Sequence, residues 1–351
     1  MKRLLFIGCC LLCVLLGRAQ QVIVVKAGDA ESLLAAIAQA NAMNAQKNAQ
    51  RTFVLIPNGF YDLGERVLTR ITGHNIAFIG ESMQGTIIRN KPDYHNEGIG
   101  KTAVLQNWGN GNYFQDLTLR DDLFYYNKEM KDGRGVTLQD KGDHTICLRV
   151  CLDSHQDTYY SDNDNCQHYF EDSEIHGTVD FICGAGDVWF EHCRIVTEPR
   201  HKDESGRDVI AAPRTSETSW GFIFNRCTIE NKVSRFQYAR GWHSTPRCVW
   251  LYTTLLTPKM LTPSRFDAYG IKVVDNFFRE YGTMDAEGHD ITPKTNVVTF
   301  ICKNDSMDIE TILKPEDAEC YTRKNVYTSW NPVKQLKKLE RQAGKLLKKN
   351  L

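Results

Sequence analysis

The sequence has no apolar run long enough to cross a membrane as a helix. Its longest, Leu4 to Leu16, follows Met1-Lys2-Arg3 and precedes Gly17-Arg18-Ala19. A basic start, a short apolar run and small residues before a cut site describe an export signal, not a membrane span. A lipid anchor on Cys9 would have only Leu4 to Ile7 ahead of Gly8. Cleavage after Ala19 is therefore the expectation, with residues 1–19 as signal peptide and the product exported to periplasm, cell surface or medium.

Past that signal the chain has no Cys-x-x-Cys or His-x-x-x-His spacing, the usual signature of a metal site. It also lacks a glycine-rich loop running from strand into helix, so nucleotide chemistry is unsupported and no cofactor is expected. A disulfide framework is missing too. Nine of the twelve cysteines lie beyond residue 19, an odd number spread over a long chain. Buried core thiols, with room for one or two bridges, fit that count better. A zinc site joining His176 or His192 to Cys151, Cys183 or Cys193 is conceivable, but stacked core cysteines are the preferred reading.

Charge of one sign is lacking overall, since 43 basic and 43 acidic residues cancel. The balance is uneven along the chain. Residues 334–351 carry seven basic and one acidic residue, and residues 20–333 carry 33 basic against 42 acidic. An acidic body argues against nucleic acid as the main partner. It leaves an anionic substrate open, because local arginines matter more there than net charge.

Helical patterning is scarce. Asp29 can cap a helix whose apolar side is Leu33, Leu34, Ile37 and Ala40. The next amphipathic pattern is the tail, residues 331–351, where Leu336, Leu339, Ala343, Leu346 and Leu347 share one side. It reads as a helix docked on the end of the fold with its lysines in water. Contact with a membrane or polyanion is the sharper alternative, and stable insertion is not expected.

Short strands fill the region between. Phe53-Val54-Leu55-Ile56 closes on Pro57-Asn58-Gly59, and Asn75-Ile76-Ala77-Phe78-Ile79-Gly80 repeats the plan. A strand preceded by a polar residue recurs around Leu117, Val150, Ser173, Cys193 and Cys227, at steps of 33, 23, 20 and 34. Steps near 20 suit one coil of a parallel β-helix, and longer ones suit a coil with an inserted loop. The expected fold is all-β: one right-handed parallel β-helix over residues 20–330, with a short N-terminal helix and a C-terminal helical tail. A solenoid also lets more than 300 residues form one domain.

That register singles out two aspartates. Asp157 lies seven residues after Val150, and Asp180 seven after Ser173. In successive coils their backbones would be about 4.8 Å apart. Two carboxylates so placed split their pKa values, one charged and one able to hold a proton, as acyl transfer requires. A ladder of solvated aspartates at a turn fits the register equally well.

The flanking residues separate these readings. His155-Gln156-Asp157-Thr158-Tyr159-Tyr160 resembles the Tyr-Gln-Asp-Thr-Leu-Tyr segment of the pectin methylesterases. Gly177-Thr178-Val179-Asp180-Phe181-Ile182-Cys183-Gly184 is similar to their Gly-Thr-Val-Asp-Phe-Ile-Phe-Gly, and Tyr238-Ala239-Arg240-Gly241-Trp242 to their Leu-Gly-Arg-Pro-Trp. Weaker similarity runs from Ile56 to Tyr281, so the resemblance covers most of residues 50–285.

The resemblance implies an esterase that removes methyl groups from pectin or oligogalacturonides, as a monomer and without a metal. Asp180 matches the nucleophile and Asp157 the acid that protonates departing methanol and then activates water. Gln156 matches the neutral amide donor to the oxyanion. Arg240 matches the guanidinium that orients the nucleophile, while Trp242 and Tyr160 match aromatics flanking the sugar cleft. The chain departs from the family at three places. Arg134 stands where a glutamine is usual, Cys183 replaces a phenylalanine beside the cleft, and Ala211-Ala212-Pro213-Arg214 keeps an arginine but loses a glutamine. Arg134 could donate to the oxyanion or bind a neighbouring galacturonate carboxylate. Alternatives to the esterase are a β-helix polygalacturonase or lyase on the same polymer, and a non-catalytic pectin-binding protein.

Overall fold

The computed structural model describes residues 20–93, 98–123, 133–200, 208–216, 219–270, 275–302 and 305–351. The signal-peptide reading of residues 1–19 lies outside them. Among the described residues no helix is long and apolar enough to cross a membrane.

From Gln21 to Tyr281 the strands wind as a right-handed parallel β-helix with three faces, and Val297–Cys302 and Asp305–Glu310 follow as an antiparallel pair. One coil shows the plan: Gln167–Glu171 on the first face, Glu174–Gly177 on the second and Ile182–Gly184 on the third. Each strand pairs in parallel with its equivalents in the coils before and after it.

The corner between the first two faces explains the repeat seen in the sequence. Asp116, Arg149, Asp172, His192, Arg226 and Tyr252 all adopt left-handed backbone, with φ between 49° and 53°. One such residue between two extended segments turns the chain sharply, and Asp and His tolerate it better than most. The residue after each corner points inward. Leu117, Val150, Ser173, Cys193 and Cys227 follow one another in the strand registers and are all at most 1% exposed. The expected interior column is therefore present.

Aromatic rings stack through the same interior at coil spacing. Phe170 and Phe190 lie 5.0 Å apart, Phe190 and Phe224 4.6 Å, and Phe224 and Trp250 3.8 Å. The N-terminal helix (Ala30–Met43), capped by Asp29 on Ser32, closes one end with Leu33, Ala36, Ile37 and Ala40. Leu34, expected in that set, is only partly buried.

Two expectations are corrected. The C-terminal helix (Pro332–Asn350) lies along the flank, not on the end. Leu336, Leu339, Ala343 and Leu346 pack on the outer side of the first face, against Phe53, Ile79, Tyr113 and Ile146. Its single acid anchors it, since Arg149 donates to Glu340 Oε1 at 2.7 Å. The cysteines hold no bridge among the described residues, where eight are free thiols. Cys147, Cys193, Cys227 and Cys248 line the interior, but Cys151 is half-buried outside it.

Candidate active site

The turn from second to third face carries both aspartates. The pairing of Tyr159 with Ile182 sets Asp157 one coil from Asp180, as the register predicted. Asp157 N–H donates to Val179 O at 3.4 Å, and Asp180 N–H to Val209 O at 2.7 Å. Both aspartates have left-handed backbone, φ 62° and 53°, at a cost of about 1–2 kcal/mol per residue. Strain of this kind persists only where its surroundings over-determine it. The pair is also shielded from water, at 5% and 7% exposure.

Arg240 follows the third-face strand Phe236–Ala239 and is fixed by its own N–H on Ala211 O. Its Nε donates to Asp180 Oδ1 at 2.8 Å and its Nη2 to Oδ2, a two-point clamp. Burial pushes the Asp180 carboxyl above the usual carboxylate range, while Arg240 and the more distant Arg200 oppose that shift. Burial prevails. Burial works against the Arg240 charge, but the charge of Asp180, and then those of Asp267 and Asp157, outweigh it and raise its pKa.

Tyr160, Cys183 and Ala212 occupy one outward row of the third face, in register. They are nonetheless buried, in a small cluster with Ala103 and Val136 that Trp242 packs against. The Tyr160 and Trp242 rings are 5.9 Å apart and tilted. Burial, and then the carboxylates of Asp157 and Asp180, hold the Cys183 thiol well above its ordinary pKa. It is thus a small neutral surface beside the aspartates, not a second nucleophile. Arg134 and Gln156 are bridge partners on adjacent coils, each half-buried, with Gly135 N–H donating to Gln156 O at 3.0 Å.

The structure joins Trp242 and Arg214 in one row with Trp108, Lys141 and Asp162, which the sequence did not single out. Extending the third-face registers by one residue aligns Trp108, Lys141, Asp162, Arg214 and Trp242, with Ala185 on the coil between Asp162 and Arg214. Asp162 collects Tyr160 Oη at 2.7 Å, Arg214 Nη2 at 3.1 Å, Gln139 Nε2 at 2.9 Å and Lys141 Nζ. Lys141 sits 5.1 Å over the Trp108 ring and Arg214 lies 5.8 Å from that of Trp242. The available signal was positional: the first four are the residue after a third-face strand or its bend. Among the described residues, the two groups with metal-ligand spacing lie elsewhere, at Cys151-Glu174-His176 and Asp285-Glu287-His289.

The fold and site together define a parallel β-helix protein with an aspartate pair, one member clamped by an arginine, beside the paired rings of Tyr160 and Trp242. Residues 21–269 match the pectinesterase family, and the chain belongs to it. Probable pectinesterase 30 of Arabidopsis thaliana is 28% identical over 207 residues, which are 59% of this chain and 40% of that protein. The chain spans about two-fifths of the length of the first curated relatives it matches. Among solved structures, the pectin methylesterase of Erwinia chrysanthemi superposes with TM-score 0.66 at 23% identity, covering 84% of this chain and 93% of that one. The carrot pectin methylesterase gives 0.67 at 17% identity, with 87% and 92% covered. At these identities the likeness is one of fold.

Proposed function

We propose that this chain is an exported pectin methylesterase, cleaving galacturonate methyl esters to methanol and free carboxylate. The observation that carries this reading is Asp180, buried yet held by both nitrogens of Arg240, with Asp157 one coil away. A clamped carboxylate is a positioned nucleophile, and a second carboxyl beside it supplies the proton.

In the proposed sequence an Asp180 oxygen adds to the ester carbonyl, and Gln156 donates to the oxyanion. Collapse breaks the bond to the methoxy oxygen, which takes the Asp157 proton and leaves as methanol. The anhydride is then attacked by water. Asp157 accepts the water proton, and Asp180 departs as carboxylate with its Arg240 clamp restored. Methanol release from methylated pectin without chain shortening tests the reading. Chain cleavage would point to a glycosidase or lyase, and neither product to a binding protein.

The pH profile follows from the site. Asp180 must be ionised, and its pKa is raised, so kcat/KM should fall on the acid side at a pH above an ordinary aspartate's range. Removing the opposing cation raises it further, so Arg240→Met should move the acid limb of the residual activity to higher pH. An unmoved limb would assign the acid limb to another group.

Arg134 is the departure that bears on substrate choice. Its fork suits a carboxylate far better than glutamine does, and we assign it to the free carboxylate of an adjacent galacturonate. Arg134→Gln should lower kcat/KM on partly de-esterified pectin ten- to a hundredfold, about 1.4–2.8 kcal/mol. Fully methylated substrate should be affected much less. Equal losses on both would place Arg134 on the oxyanion instead.

A further inference from the structure

The outer side of the second face holds a cluster that the ester chemistry does not use. Cys151, on the strand Thr145–Asp153, pairs in register with Glu174, and His176 stands two residues beyond Glu174 on the strand Glu174–Gly177. Alternation puts all three side chains on the outward face, while Leu152 and Ile175 fill the interior. Their thiol, carboxylate and imidazole ligand atoms lie within 4.8 Å of one another. Ligands around a tetrahedral zinc ion are spaced roughly 3.3–3.8 Å from each other. Closing the difference asks for about 1 Å of side-chain movement.

A second observation points the same way. His176 Nδ1 is 2.9 Å from Glu198 Oε1, whereas Nε2 faces Glu174 Oε2 at 3.3 Å. Glu198 thus orients the ring, and Nε2, whose present partner is Glu174, is the nitrogen that would give up its proton to a metal. Glu198 is itself anchored by Lys232 at 2.7 Å. Arg194 also donates to Glu174 Oε2, at 2.8 Å, and a metal would have to share or displace that contact. Arg194 has a second partner in Glu230, so it need not leave the face.

We propose that Cys151, Glu174 and His176 form a metal site of the zinc class, with Glu198 orienting the histidine and water completing the coordination. Thiolate and imidazole together select borderline and soft divalent ions over magnesium or calcium. On binding, any thiol and imidazolium protons pass to solvent, so uptake strengthens as pH rises. The ion would tie two successive coils together just before the turns bearing Asp157 and Asp180. That link is structural, since Thr158 Oγ1 already bonds His176 O at 2.8 Å between these segments.

The test is independent of ester hydrolysis. The mature chain, stripped with a chelator, is titrated with Zn²⁺ against a chromophoric competitor, and separately with Co²⁺ while its spectrum is recorded. One equivalent of zinc and a near-ultraviolet thiolate-to-cobalt band are expected. Cys151→Ser should abolish the band and weaken zinc binding at least tenfold. Glu198→Gln, which keeps every ligand, should weaken it by about ten- to a hundredfold. Cys320→Ser, which removes an exposed thiol elsewhere, should change nothing. No uptake by the wild-type chain would leave an ion-pair network only and overturn the proposal. So would a cobalt band that survives Cys151→Ser or follows Cys320.

Discussion

Asp180→Asn should abolish methanol release while leaving the fold and the capacity to bind pectin intact. Asparagine has nearly the same shape, and its carbonyl can still accept one hydrogen bond from Arg240. Its amide, however, cannot add to the ester to form an anhydride. Removing a nucleophile that acts as a unit with its partners costs more than about 10³-fold in kcat. The strain at φ 53° is no obstacle to the variant, because asparagine tolerates left-handed backbone as well as aspartate does. Single-turnover methanol release, beside binding of a methylated oligogalacturonide, separates chemistry from affinity. Near-normal release from a well-folded variant would move the reaction to another group and leave Arg240 clamping a structural carboxylate.

The coil register was legible because the corner has a local cause. A single left-handed residue must precede each inward position, and polar residues such as Asp116, Arg149 and Asp172 occupy most of those corners. Polar-then-apolar steps therefore survive in the sequence even though the coil lengths differ. Counting from the corner then placed Asp157 and Asp180 in equivalent positions, and the pairing of Tyr159 with Ile182 agrees. What counting could not supply was Arg240. It reaches Asp180 across 60 residues of intervening chain, and only the family resemblance pointed to it.

Other features were hidden for physical reasons. In a sheet with one covered outer face, inward and outward positions can both be apolar or both small. Cys183 is buried outside the β-helix interior, in the cluster with Tyr160 and Ala212, while Cys193 is buried inside it. A cysteine pattern alone cannot distinguish these two environments from the half-exposed one of Cys151. The C-terminal helix shows the same limit. Its apolar stripe was plain, but the surface receiving it is assembled from the strands around Phe53, Ile79, Tyr113 and Ile146, far apart in sequence. The Trp108-Lys141-Asp162 row escaped because each member follows its strand by one position, where turn residues are usually read as solvent-facing.

A buried ion pair gives the largest expected effect on stability. His168 is fully enclosed, and its ring nitrogens approach Tyr159 Oη at 2.8 Å, Gly142 O at 3.3 Å and Asp140 Oδ2 at 3.6 Å. Asp140 Oδ1 accepts from Asn107 and from Gly142 N–H, whereas among the described residues Oδ2 has no hydrogen-bond partner and lies beside the His168 ring. Burial disfavours the imidazolium, but Asp140, and then Cys166, outweigh it and raise the pKa to about 10. An unfolded histidine titrates near about 6.5. The folded state therefore binds the proton more tightly, and the resulting stability is fully present below that unfolded value. It is lost as pH rises through the folded one. Denaturant midpoints of the wild-type chain should accordingly fall between near-neutral pH and about 10. His168→Gln removes the charge and leaves Asp140 buried without a cationic partner, which costs about 3–5 kcal/mol. The variant should unfold at lower denaturant at neutral pH and show a flatter pH dependence across that window. Wild-type stability in His168→Gln, or an unchanged slope with pH, would mean that the His168 charge contributes nothing to the fold.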